Sequence, residues 1–144
     1  MNSRKTRIAI VDDDESIRKS LRRLLTGSGF DVEVFASGTE FIASLEMRSP
    51  DALVLDMYMP ELNGLEIQDW LVAHGRKIPV IFITAQDSPQ LRSKALAGGA
   101  VAYLEKPVHK ETLLASLHEA LQWTDQPHRE AERTPRFHQK GPTV

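Results

Sequence analysis

The 144-residue chain contains no cysteine, which excludes disulfides and thiolate metal sites and suits a reducing compartment. It has no apolar run approaching the roughly 18 residues that a membrane-spanning helix needs. The run IAIV behind the N-terminal MNSRKTR is too short for a signal-peptide core. Charge of one sign is also missing: 18 Lys and Arg stand against 20 Asp and Glu, a net charge of −2. Bulk electrostatics therefore give no case for direct nucleic-acid binding. At 41% hydrophobic and 26% charged, the length fits one compact cytoplasmic domain.

What is present is an alternation. Five short apolar, β-branched runs read as strands: IAIV, VEVF, ALVL ahead of Asp56, VIFIT and VAYLE. Ile8–Val11 and Val80–Ile83 are continuously apolar, as expected of central strands covered on both faces. Between the runs lie helical spacings. Ile17, Leu21, Leu24 and Leu25 share one face, closed by Gly27 or Gly29. Phe41, Ile42 and Leu45 follow Ser37, an N-cap with Glu40 at capping-box distance. A third helix over roughly 63–73 has the weakest periodicity. A fourth, about 88–97, opens with Ser88-Pro89 and stops at Gly98-Gly99. A fifth starts near Lys110 and sets Leu113, Leu114, Leu117 and Leu121 on one side.

Repeated strand-helix alternation predicts a parallel sheet with helices on both faces, and sites in such sheets lie at the carboxyl ends of the strands. The first strand delivers Asp12 and Asp13, the third Asp56, the fourth Thr84, and the fifth Lys106 followed by Pro107. Each has a commonplace explanation taken singly: Asp14 caps a helix, Thr84 suits a strand, Lys106 is a surface charge, and Asp56 begins a turn. Chance placement of all of them at four strand ends is far less plausible. Three carboxylates gathered together repel and call for a cation, and hard oxygen ligands suit Mg²⁺, with Mn²⁺ able to substitute. A metal, a lysine and a hydroxyl around one carboxylate provide the positioning and charge neutralisation that phosphoryl transfer onto that carboxylate requires.

The segments IAIVDDDESIRKSLRRLL, VLDMYMPELNGLE, PVIFITA and AGGAVAYLEKP together resemble the receiver domain of two-component response regulators, most closely the FixJ type, over about residues 6–123. The resemblance implies a flavodoxin-like (βα)₅ fold with a five-stranded parallel sheet in the order 2-1-3-4-5. It implies that Asp56 accepts a phosphoryl group from a sensor histidine kinase or phosphotransfer protein. Asp12, Asp13, Asp56 and the Tyr58 backbone carbonyl then hold Mg²⁺, Asp12 through water. Thr84 and Lys106 engage the phosphoryl oxygens, and Tyr103 turns inward in the active state. Gly64 shapes the turn into the third helix, and Lys106–Pro107 is expected to be cis. Tyr58 and Gln86 sit at positions that tune how fast the phosphoryl group is lost. The face of helix 4, strand 5 and helix 5 responds, and dimers form through Leu91, Lys94, Ala95, Val101 and Tyr103.

By this reading residues 1–123 are the receiver, a phosphoacceptor signalling domain rather than an enzyme. Residues 124–144, with three of the eight prolines, are a tail or linker that extends the last helix before losing order. Two rivals stand beside it. One is the receiver part of a DNA-binding regulator whose helix-turn-helix domain lies outside this chain. The other is a haloacid-dehalogenase-type phosphohydrolase, since Asp12-x-Asp14 imitates that motif. The latter class needs a further acidic pair after the lysine, where this chain offers only Glu111 and Glu119.

Overall fold

A computed structural model describes residues 4–123. The expectations for the tail after Trp123 lie outside the described residues. In chain order the elements are β1 (Arg7–Val11), α1 (Glu15–Gly27), β2 (Asp31–Phe35), α2 (Gly38–Ser44), β3 (Ala52–Asp56), α3 (Gly64–Ala73), β4 (Val80–Thr84), α4 (Pro89–Ala97), β5 (Ala102–Glu105) and α5 (Lys110–Trp123). All strand pairings are parallel and the order is β2-β1-β3-β4-β5. The expected fold is therefore present.

The two periodicities of the sequence build two cores. Side chains alternate across a strand. Ala9, Val11, Leu53, Leu55, Val80 and Phe82 thus face one side, where α2, α3 and α4 cover them with Phe41, Ile67, Leu71 and Ala95. Ile8, Ile10, Val54, Ile81 and Ile83 face the other, under Leu21 and Leu25 of α1 and Leu113 and Leu117 of α5. β3 and β4 are buried at every residue, whereas the edge strands β2 and β5 are not. Burying a Leu or Ile side chain contributes roughly 1.5–3 kcal/mol, so these two layers supply the main driving force for the fold.

Helix ends follow local chemistry. Asp14 caps α1 by accepting from the Ser16 N–H, and Gly29, at φ 97°, lets the chain leave in the left-handed region. Ser37 caps α2 as expected, yet Glu40 completes no capping box there, because its carboxylate accepts from the Ala36 N–H instead. The full capping box stands on α3, where Asn63 accepts from the Glu66 N–H at 2.9 Å and Glu66 accepts from the Asn63 N–H at 2.8 Å. That helix has weak amphipathicity because it buries Gln68, whose amide donates to the Ala95 carbonyl on α4 at 3.0 Å. Gly98 leaves room for this amide: a Cβ on it would lie 2.6 Å from the Gln68 side-chain oxygen, and Gln68 would have to shift.

Candidate functional site

Main-chain hydrogen bonds fix where each strand releases its functional residue. The Asp12 N–H donates to the Phe35 carbonyl, the Met57 N–H to Ile83, and the Lys106 N–H to Thr84. These bonds align the carboxyl ends of neighbouring strands. Asp12 and Asp56 continue the rows of Ile10 and Val54, while Thr84 continues the row of Phe82 towards α4.

Three carboxylates converge at that edge. Asp12, Asp13 and Asp56 each offer a ligand oxygen, all within 4.8 Å of one another. Asp12 and Asp56 are 0% and 3% exposed, and Asp13 stands open to solvent. Lys106 Nζ reaches 2.9 Å from Asp12 Oδ2 and 3.3 Å from Asp56 Oδ1. One ammonium cannot neutralise three acids. Burial, with Asp12 and Asp13 adding like charge, pushes the Asp56 carboxyl up to about 7 against the attraction of Lys106. Burial pulls the Lys106 ammonium down, but its bonds to Asp12 and its attraction to Asp56 outweigh this and leave it raised. The excess of negative charge, the hard oxygen donors and an opening at Asp13 fit a divalent cation such as Mg²⁺.

The loop after β3 holds Asp56 in place. The Gly64 N–H donates to the Met57 carbonyl at 3.0 Å. A Cβ on Gly64 would lie 2.7 Å from the Asp56 carbonyl oxygen and 2.9 Å from the Phe82 ring. Only glycine permits that approach. Glu61, at φ 68°, turns the chain sharply enough for the Leu62 N–H to donate to the Pro60 carbonyl. Tyr58 is 41% exposed and lines a shallow depression with Met59, Pro60 and Asn63.

Other expected residues lie close by. The Lys106–Pro107 peptide is cis. Thr84 is fully buried, and its hydroxyl donates to the Gln86 carbonyl at 2.9 Å while accepting from the Gln86 N–H at 3.1 Å. Tyr103 is 6% exposed and already inward, so Thr84 need not engage the carboxylate for the ring to be buried. Burial raises its phenol pKa.

The expected dimer face needs correction at two positions. Ala95 and Tyr103 belong to the core, because α4 and β5 pack against each other there, and neither is available to a partner in this arrangement. Lys94 is exposed, and Leu91 and Val101 are half-buried.

Two arginines escaped the sequence. Arg18 on α1 donates to the Asp12 carbonyl at 2.9 Å, steadying the β1–α1 turn. Arg92 lies over the Tyr103 ring and pairs with Asp87. An arginine on a mixed-charge helix gives no sign in sequence of which strand end it will reach.

The described residues contain no helix long and apolar enough to cross a membrane. Residues 8–118 match the response regulator receiver domain family. The chain is 43% identical over 118 residues to the response regulator MprA of Mycobacterium avium, covering 82% of this chain and 52% of that protein. It thus spans about half the length of the curated relatives it matches. Among solved structures, FixJ-N superposes with a TM-score of 0.77 at 32% identity, over 83% of this chain and 96% of that one. The Vibrio cholerae chemotaxis protein CheY4 superposes at 0.76 with 30% identity, over 82% and 100%. The family match sets aside the phosphohydrolase alternative. From its strand order, its clustered acids and these similarities, the chain belongs to the response regulator receiver domain family, the signalling domains of two-component systems.

Proposed function

We propose that Asp56 is the phosphoacceptor of this receiver and takes its phosphoryl group from a phosphohistidine on a sensor kinase or phosphotransfer protein. The observation that carries this is one buried strand-tip carboxylate held 3.3 Å from Lys106 beside two further acids. In the transfer an Asp56 carboxylate oxygen attacks phosphorus. The new P–O bond forms as the donor's P–N bond breaks, and the imidazole leaves with that electron pair. Asp12, Asp13, Asp56 and the Tyr58 carbonyl would hold Mg²⁺, which supplies neutralisation of the phosphoryl oxygens when bound. Lys106 orients the acceptor and is placed to pair with a phosphoryl oxygen. Thr84 would exchange its bond to the Gln86 carbonyl for another phosphoryl oxygen, coupling the site to β4 and to Tyr103.

Phosphorylation replaces one carboxylate charge with about −2 and three strong acceptors. A full reversal of a 1:99 equilibrium takes about 5.5 kcal/mol of differential stabilisation, and smaller values switch only part of the population. The output is a change in the α4–β5–α5 face, acting on a partner or on a second copy through Leu91, Lys94 and Val101. Residues 1–123 act as the receiver and 124–144 as a tail or linker. The reaction is a single self-catalysed transfer followed by slow hydrolysis, in the cytoplasm. Tyr58 and Gln86 tune how fast the phosphoryl group is lost, Tyr58 by screening the attacking water.

The test is incubation with a small phosphodonor and Mg²⁺, comparing wild type with Asp56→Ala by intact mass. A gain of one phosphoryl group confined to wild type is expected, and a gain in both proteins refutes the acceptor. Size measurement on the same samples reads dimerisation. Tyr58→Ala should shorten the phosphoryl lifetime, and an unchanged hydrolysis rate would remove the screening role. A second reading, that this is the receiver portion of a longer regulator, is favoured by the half-length match to MprA. The reading frame downstream of the coding region decides it.

A further inference from the structure

We propose that Arg92 is a positioning residue that holds Tyr103 inward, so that the switch face is arranged before any phosphoryl group arrives. The proposal rests on the reading above only in taking the inward ring as the active form. Tyr103 is buried, yet its hydroxyl, beside Thr84 and Ser88, has no hydrogen bond of good geometry. Thr84 has committed its hydroxyl to Gln86 instead. A buried hydroxyl without a partner opposes the inward position, so contacts to the ring must outweigh it. Phe82 supplies one, at 6.4 Å between centroids in a tilted arrangement.

The other contact comes from the helix. The Arg92 guanidinium carbon lies 4.9 Å from the Tyr103 ring centroid, within range of an attractive cation–π contact. Arg92 is itself anchored by a hydrogen bond to Asp87 Oδ1 at 3.1 Å. Asp87 follows Gln86, the residue that occupies the Thr84 hydroxyl, and precedes Ser88, the α4 N-cap. The anchor limits the rotamers of a long, half-buried side chain, so less freedom is lost when it covers the ring. A contact made only to the inward ring favours that conformer, and by linkage it raises the affinity of any ligand that requires the conformer in proportion to the fraction of rings held inward.

The chain has two tyrosines, so labelling with 3-fluorotyrosine gives two fluorine resonances, and Tyr58→Phe assigns them. In metal-free protein, the Tyr103 resonance of wild type should be shielded from a soluble paramagnetic agent. Arg92→Ala should raise the exposed population about two- to fivefold, as expected for a cation–π contact near the surface. Arg92→Lys should restore part of the shielding, and Asp87→Ala should lose part of it. Thermal unfolding of each variant shows that the fold persists. Equal shielding in wild type and Arg92→Ala overturns the proposal. Titration with beryllium fluoride and Mg²⁺ then reads the linkage: Arg92→Ala should bind more weakly by the ratio of the two inward fractions that the shielding reports. An affinity ratio that departs from the ratio of inward fractions also overturns it. If wild type fails to bind beryllium fluoride, the phosphoacceptor reading falls, while the metal-free comparison still decides whether Arg92 holds the ring.

Discussion

Replacing Asp56 by Asn should stabilise the metal-free protein at neutral pH, even though it removes the residue on which the proposed function depends. The carboxyl is raised from 3.8 to about 7, chiefly by burial and then by Asp12. A folded pKa above the unfolded one means that the native state holds the proton more tightly. The proton's contribution is fully present below about pH 4 and is lost as the pH rises through about 7, with the full penalty above that. At ~1.36 kcal/mol for each pH decade, the ceiling is about 4 kcal/mol. Solvent entering beside the exposed Asp13 screens part of this, leaving on the order of 1–3 kcal/mol. Asn keeps the shape and lacks the charge. Urea unfolding followed by circular dichroism, in chelator, should therefore show the two proteins equal near pH 4 and Asp56→Asn ahead by that amount at pH 8. Adding Mg²⁺ should close most of the gap, since a ligand at a hundred times its dissociation constant stabilises by about 2.7 kcal/mol and the variant has lost a ligand oxygen. A variant no more stable than wild type at pH 8 in chelator would refute the electrostatic reasoning. Equal gains from Mg²⁺ would refute the metal site.

Lys106→Gln should cost about 2–4 kcal/mol in chelator, because Asp12 is left buried without its cation. Adding Asp56→Asn to it should recover at least about 1 kcal/mol, and simple additivity in that double-mutant cycle would show that Lys106 is not neutralising Asp56. Gly64→Ala should cost about 1–3 kcal/mol, because its methyl group would meet the Asp56 carbonyl and the Phe82 ring and displace the acceptor. It should also slow uptake from a small phosphodonor, and unaltered stability and uptake would show that the loop has room to yield.

The amino-acid sequence by itself determined the order and type of the elements. Continuous apolar runs such as Val80–Ile83 need cover on both faces, and the Leu spacing of α1 and α5 supplies one of those covers. It also determined the inventory of the site, because a carboxylate ending a buried run must either reach solvent or serve chemistry, and Asp12, Asp56 and Lys106 each stand where a strand stops. α3 was faint because its periodicity is diluted by Gln68, whose amide is satisfied only by the Ala95 carbonyl on a helix 27 residues away. The capping box on Asn63 and Glu66 was legible in principle but hidden by that weak pattern.

The tertiary structure alone decided how these groups share charge and space. Lys106 lies closer to Asp12 than to Asp56, Thr84 turns to Gln86, and Arg92 reaches over Tyr103 from another element. It also withdrew Ala95 and Tyr103 from the expected dimer face. The reason is physical. Strand and helix periodicity are local properties of consecutive residues. Ion-pair distances, rotamers and burial at α4 and β5 depend on how segments far apart in the chain come to pack.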